Sequence, residues 1–161
     1  AYKVEGDHKG YSIYPLPTIS GSIHIQMKDD AVVKIAGNLL FDYDLGALVA
    51  LLGSDPEWLY VVNKGGGCVS CKDWPPGPYD DEIYASPIHL LYPSQGLWFL
   101  AWTPWNGCIC PEMQITSFCY YTPMSIEEAL DEERLVNLCI GSTRSLTEKD
   151  LTEWHGFGGG Y

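Results

Sequence analysis

Ser20-Gly-Ser-Ile-His-Ile-Gln-Met-Lys-Asp-Asp-Ala-Val-Val-Lys-Ile-Ala-Gly-Asn-Leu-Leu-Phe-Asp42 holds two alternating runs on either side of a charged centre. Ile23, Ile25 and Met27 alternate with Ser22, His24 and Gln26, and Val33, Ile35, Leu39 and Phe41 continue the alternation against Lys34, Asn38 and Asp42. A period of two is that of a strand with one face turned to a core. Between the runs, Lys28-Asp29-Asp30 supplies turn chemistry, because Asp tolerates left-handed backbone through local hydrogen bonds. The stretch therefore predicts a β-hairpin, and with it a sheet.

The pattern extends in both directions. Trp58, Tyr60 and Val62 alternate after Asp55-Pro56, and the glycine-rich run Asn63 to Gly67 closes that strand. Pro75, Pro76, Pro78, Pro87 and Pro93 punctuate the next segment, and because proline cannot donate to a ladder, most of it is expected to be loop or edge. Leu97 to Trp102 is apolar on both faces, the mark of a strand buried on both sides or lying between a core and a ligand or partner, and Met113 to Tyr121 makes a further strand. Ser125-Ile-Glu-Glu128 and Ser145-Leu-Thr-Glu148 each place a hydroxyl three residues before a carboxylate, so two capping boxes predict two short late helices, the second carrying Leu151 and Trp154 and stopping at Gly156. Residues 1–19 show no period and read as an arm over the surface, and 156–161 as a flexible glycine-rich tail. The expectation is one α+β domain over residues 1–161, mainly β and antiparallel, with two short C-terminal helices.

Charge and cysteine use narrow the class. Nine Lys+Arg against 21 Asp+Glu give a net charge of −12, which repels phosphate backbones, so no nucleic-acid partner is expected. The longest apolar runs, Leu45 to Leu52 and Leu97 to Trp102, fall far short of the roughly 20 residues of a membrane span. The chain opens at Ala1 without an initiator Met, so a removed leader and secretion are expected, and the six cysteines Cys68, Cys71, Cys108, Cys110, Cys119 and Cys139 then read as disulfides of unspecified pairing. Zinc held by Cys68, Cys71, Cys108 and Cys110 is the alternative. A redox role for Cys68-Val-Ser-Cys71 would need a helix N-terminus or nearby cations to lower a thiol pKa, and Lys72 is the only adjacent cation.

No nucleophile stands beside a base. His8, His24, His89 and His155 are scattered and none lies in a hydrolase or metalloprotease motif, so the chain is expected not to be an enzyme. Asp80-Asp81-Glu82 is the densest carboxylate run of the proline-rich segment and the candidate calcium site, although it lacks the spacing of an EF-hand. Glu127, Glu128, Asp131, Glu132 and Glu133 read as a solvated helix face. The positive signal is aromatic. Six Trp, eleven Tyr and four Phe include Trp98, Phe99, Trp102 and Trp105 within eight residues, a payload suited to a core, a ring-lined pocket or a dimer face.

The order of these features resembles that of the ependymin-related proteins. Gly21 to Ile35 resembles their early hairpin, and Leu59-Tyr-Val-Val-Asn-Lys-Gly-Gly-Gly-Cys68 their strand running through a turn into a cysteine. Cys119-Tyr-Tyr-Thr-Pro-Met resembles their Cys-Tyr-Pro-Val segment, and Leu135-Val-Asn-Leu-Cys-Ile-Gly141 with Leu146 to Trp154 their last strand and closing helix. The chain departs from the family in having no cysteine after that helix and none before Cys68, in the extra Cys108, Cys110 and Cys139, and in lacking an Asn-x-Ser/Thr sequon. The resemblance implies a secreted protein of two stacked antiparallel sheets around a deep hydrophobic pocket, with dimerisation, calcium and lipid-like ligands.

The expected function is a carrier that holds a long apolar molecule, such as a fatty acid, other lipid or carotenoid, and needs no cofactor. Ile23, Ile25, Met27, Val33, Ile35, Leu39 and Phe41 would line one sheet and Trp98, Leu100 and Trp102 the other, selecting by shape and apolar area. The alternative is an extracellular interaction or adhesion module, a homo- or heterodimer that covers the same apolar face and uses calcium.

Overall fold

The computed structural model describes residues 2–5, 8–13, 19–61, 84–104, 108–131 and 147–158. Its strands are β1 (Tyr2–Glu5), β2 (His8–Ile13), β3 (Ile19–Lys28), β4 (Ala31–Asp44), β5 (Trp58–Val61), β6 (Tyr84–Tyr92), β7 (Leu97–Pro104), β8 (Gln114–Tyr121) and β9 (Leu151–Glu153). Helix α1 (Leu45–Leu52) follows β4, and α2 (Ile126–Asp131) follows β8. The protein is mainly β. All nine described strands join one sheet in the order β1-β2-β3-β4-β8-β7-β6-β5-β9, and each described pairing is antiparallel.

The hairpin that opened the reading is β3–β4. Asp29 and Asp30 both take left-handed backbone, with φ of 51° and 61°, the geometry whose twist suits a two-residue hairpin turn. Around it, Ile25 pairs with Ile35 and His24 with Ala36, while Met27 pairs with Val32 across a register shift that leaves Val33 as the extra residue.

Several expectations are corrected. The stretch read as an arm contributes β1 and β2, which pair with each other and dock on β3. The proline-rich segment ends in β6, an interior strand between β7 and β5 rather than loop or edge. Its Pro87 lies within β6, opposite Trp102 of β7. The apolar run at Leu45 is a helix, capped by Asp44 and ended by Gly53 in the left-handed conformation at φ 66°.

Of the two late helices, the first forms with its capping box: the Ser125 N–H donates to Glu128 Oε2 at 2.8 Å and the Glu128 N–H to Ser125 Oγ at 3.2 Å. The second does not form. Thr147 and Asp150 make the capping box instead, around a single 3-10 turn at Glu148–Asp150, and Leu151 is already extended as it enters β9. Pairing Leu151 with Tyr60 buries it, a gain that a further helical turn would forgo. The tail also docks at its start, where the Gly158 N–H donates to the Ile109 carbonyl at 2.9 Å.

The sheet carries a core on each face. On the first face, Leu59, Val61, Ile88, Leu90, Tyr92 and Ala101 pack with Leu45, Leu48, Val49 and Leu52 of α1 and with Ile109 and Met113. On the second, Tyr60, Leu91, Trp98, Cys119 and Tyr121 pack with Ala129 and Leu130 of α2 and with Leu151. At Gly96, between β6 and β7, a side chain would fall 2.0 Å from the Tyr121 carbonyl, and φ is +67°; only glycine fits there. Two sheets are implied by the family resemblance, whereas the described strands lie in one continuous sheet.

Candidate ligand-binding face

Register decides which of the expected lining residues can meet. Ile25 pairs with Ile35, Ile35 with Tyr120, Tyr120 with Leu97 and Leu97 with Tyr92, so these five form one row across β3, β4, β8, β7 and β6 on the first face. His24, Ala36, Cys119 and Trp98 form the neighbouring row on the second. Directly paired residues share a face and successive ones alternate.

The expected set is therefore divided. Ile23 is buried on the first face, while Ile25, Val33, Ile35 and Leu39 of β3 and β4 and Met27 opposite Val32 are only half-buried. Phe41 lies in β4, but its side chain is outside the described residues. Trp98, Leu100 and Trp102 belong to the second face, with Trp98 and Leu100 in the cluster beneath α2. They cannot line a pocket jointly with Ile25 and Ile35, because the sheet itself stands between them. The missed partners are the odd residues of the same strand, Leu97 and Phe99, with Phe118 and Tyr120 of β8. Strand β7 is apolar on both faces, so its sequence carried no mark of which set belongs with β3 and β4.

Exposure varies along the row and is greatest at its middle member. Tyr92 has no exposed surface, Leu97, Ile35 and Ile25 are half-buried, and Tyr120 is 38% exposed. Val32, beside Met27, is 45% exposed. The buried end, at Tyr92, lies near α1, and no side chain in the row is charged.

On the second face, a polar device sits among aromatics. The Trp98 Nε1–H donates to His89 Nδ1 at 3.1 Å, and His89 stacks between Tyr60, at 5.2 Å, and Trp98, at 5.3 Å. Burial pushes the His89 pKa down to about 4, so the ring is neutral and its proton rests on Nε2. This imidazole is a buried structural group, accepting where a general base would need a free nitrogen. Farther along β4, burial lowers the Lys34 pKa to about 8.

Cys108, Cys110 and Cys119 are fully buried, disulfide-bonded and not free thiols. Cys108 and Cys110 thus have no thiolate to offer zinc. Cys68, Cys71 and Cys139 lie outside the described residues, as do Asp80, Asp81 and Glu82 of the candidate calcium site. Among the described residues, no helix is long and apolar enough to cross a membrane, and no group of three or more His, Cys, Asp or Glu side chains is gathered as for a metal. No protein-family description, curated protein or solved structure matches the chain.

Proposed function

We propose that the protein is a secreted carrier for a long apolar molecule, such as a fatty acid, other lipid or carotenoid, laid along the first face of β3, β4, β8 and β7. The observation that carries this reading is the Tyr92-Leu97-Tyr120-Ile35-Ile25 row, apolar across five strands, with Tyr92 fully buried at one end and Tyr120 exposed at its middle. Covering such a face is worth about 25 cal/mol per Å² of apolar area removed from water. The reading includes an ependymin-like pocket, for which the single described sheet would have to bend over on itself at its register shifts.

Native mass spectrometry and organic extraction of the purified chain test the reading. A bound apolar compound, visible in the absorption spectrum if it is a carotenoid, is the expected result. A protein that is ligand-free and takes up no fatty acid, lipid or carotenoid would overturn it. The exposure of Val32 and Tyr120 favours a second reading, in which another subunit covers the same face in an extracellular adhesion module. Light scattering separates the two: a ligand-bearing monomer leaves only the carrier.

A further inference from the structure

The two faces of the sheet differ in charge, and strand register sorts the charges. Lys34 pairs with Tyr121 of the second-face core, and its row runs on through Gln26 and Gly10 to Lys3. Glu5 stands two residues from Lys3 in β1 and shares its face. Glu153 pairs with Trp58, which packs on the same core. Lys28 follows Met27, and Asp44 follows Tyr43, the partner of the first-face core residue Ile115, so both fall on the second face by alternation.

Among the Lys, Arg, Asp and Glu at paired positions of the described strands, one is left for the first face. It is Lys9 of β2, which stands two residues from Tyr11, the partner of Ile25. Lys9 pairs with Val4 on one side and with Met27 on the other, and Met27 with Val32. The apolar row through Ile25 continues over Tyr11 to Tyr2 at the edge of the sheet, so Lys9 sits in the neighbouring row beside the β2 end of the candidate face. Strand β8, with Tyr120, lies three strand spacings from β2, about 14 Å, an interval that a fatty-acid chain spans.

A lone cation on an otherwise charge-free face suits a ligand with one anionic end and an apolar body. A lysine stem covers apolar surface while its ammonium offers three donors, and an ion pair bordered by apolar groups is screened less than one in open water. A carboxylate brings one charge to one cation. A phosphate monoester brings about −1.5 to −2 and would leave surplus negative charge on a chain already at −12. A cationic amphiphile would meet like charge at Lys9.

We propose that Lys9 is the polar end of the apolar-ligand site and pairs with the carboxylate of an ionised long-chain fatty acid whose tail crosses Ile25, Ile35 and Tyr120. The assignment rests on the carrier reading and selects among its ligands: ionised fatty acids over neutral lipids and carotenoids.

Calorimetric titration of the full chain at neutral pH with laurate, dodecanol, dodecylammonium and dodecyl phosphate tests it. Laurate is expected to bind about fivefold tighter than dodecanol, the worth of one partly exposed ion pair. It should also outbind dodecylammonium, although the net charge of −12 favours the cation, so the preference must come from a local positive group. Lys9→Met should bring laurate to the dodecanol level and leave dodecanol unchanged, and Lys9→Arg should keep the preference. Laurate binding no tighter than dodecanol to the unmodified chain overturns this inference and leaves the carrier reading standing, whereas failure of all four to bind removes the carrier reading itself. A preference for laurate that survives Lys9→Met overturns the assignment to Lys9, and dodecyl phosphate binding tighter than laurate overturns the choice of a carboxylate. The ligand comparison on the unmodified chain tests the inference even where a variant fails to fold.

Discussion

His89 shows how one side chain acquires a role that its neighbours in sequence do not suggest. Its partners stand 29 positions before it, at Tyr60, and nine after it, at Trp98; strand register alone assembles the three. The ring accepts from Trp98 at Nδ1, so a second proton would set two donors against each other. With a native pKa of about 4 against 6.5 for the free side chain, the unfolded chain binds the proton first as pH falls. Stability is therefore fully present above about pH 6.5 and is lost progressively as pH falls toward 4, by up to about 3 kcal/mol from this group. Urea midpoints measured from pH 7 to pH 4 should show the decline, and His89→Asn, which keeps an acceptor for Trp98 but does not titrate, should flatten it. A decline of the same size in that variant would remove His89 as its source.

Helix α1 illustrates the same division among elements. Its eight apolar residues carry no clear helical stripe, and the signals that mark it are at its ends, Asp44 before and Gly53 after. Asp44 Oδ1 accepts from the Ala47 N–H at 2.5 Å, while the Leu45 and Gly46 N–H groups reach the Met113 and Pro111 carbonyls at 2.7 and 2.8 Å. The first of these contacts is local and legible; the other two depend on a turn some sixty residues away. Asp44→Ala should destabilise the protein by about 1 kcal/mol, the usual cost of an N-cap, with α1 held in place by its tertiary bonds. Chemical denaturation measures this, and an unchanged midpoint would show that the cap contributes nothing. At the other end of the chain, Ser125 and Glu128 formed the box their spacing announced, but the second box slid to Thr147 and Asp150 because β9 claimed Leu151.

For the whole molecule, the decisive relation is the separation of faces. If the apolar ligand lies on the first face, Ile35→Asp puts a charge into the middle of its row and removes apolar contact worth about 1.5–3 kcal/mol, a loss of roughly 10- to 100-fold in affinity. Trp102→Gln alters the other side of β7 and should leave affinity within about twofold, since a change of well under 1 kcal/mol is expected there. Binding titrations, with circular dichroism to show that both variants fold, check the pair. Equal losses at the two positions would mean that the ligand does not respect the sheet's two sides.

The sequence by itself determined the mainly β character, the β3–β4 hairpin with its Asp29-Asp30 turn, and the strands at Trp58, Leu97 and Met113, because period-two alternation and turn chemistry are local properties of the chain. It also supplied the apolar residues of β3 and β4 that the candidate face uses. Only the tertiary structure decided that Leu97 and Tyr120, not Trp98 and Trp102, share that face. A strand apolar on both sides has no local mark of direction. Which side meets which neighbour is set by hydrogen-bond registry between segments far apart in sequence, where a shift of one residue reverses every side chain.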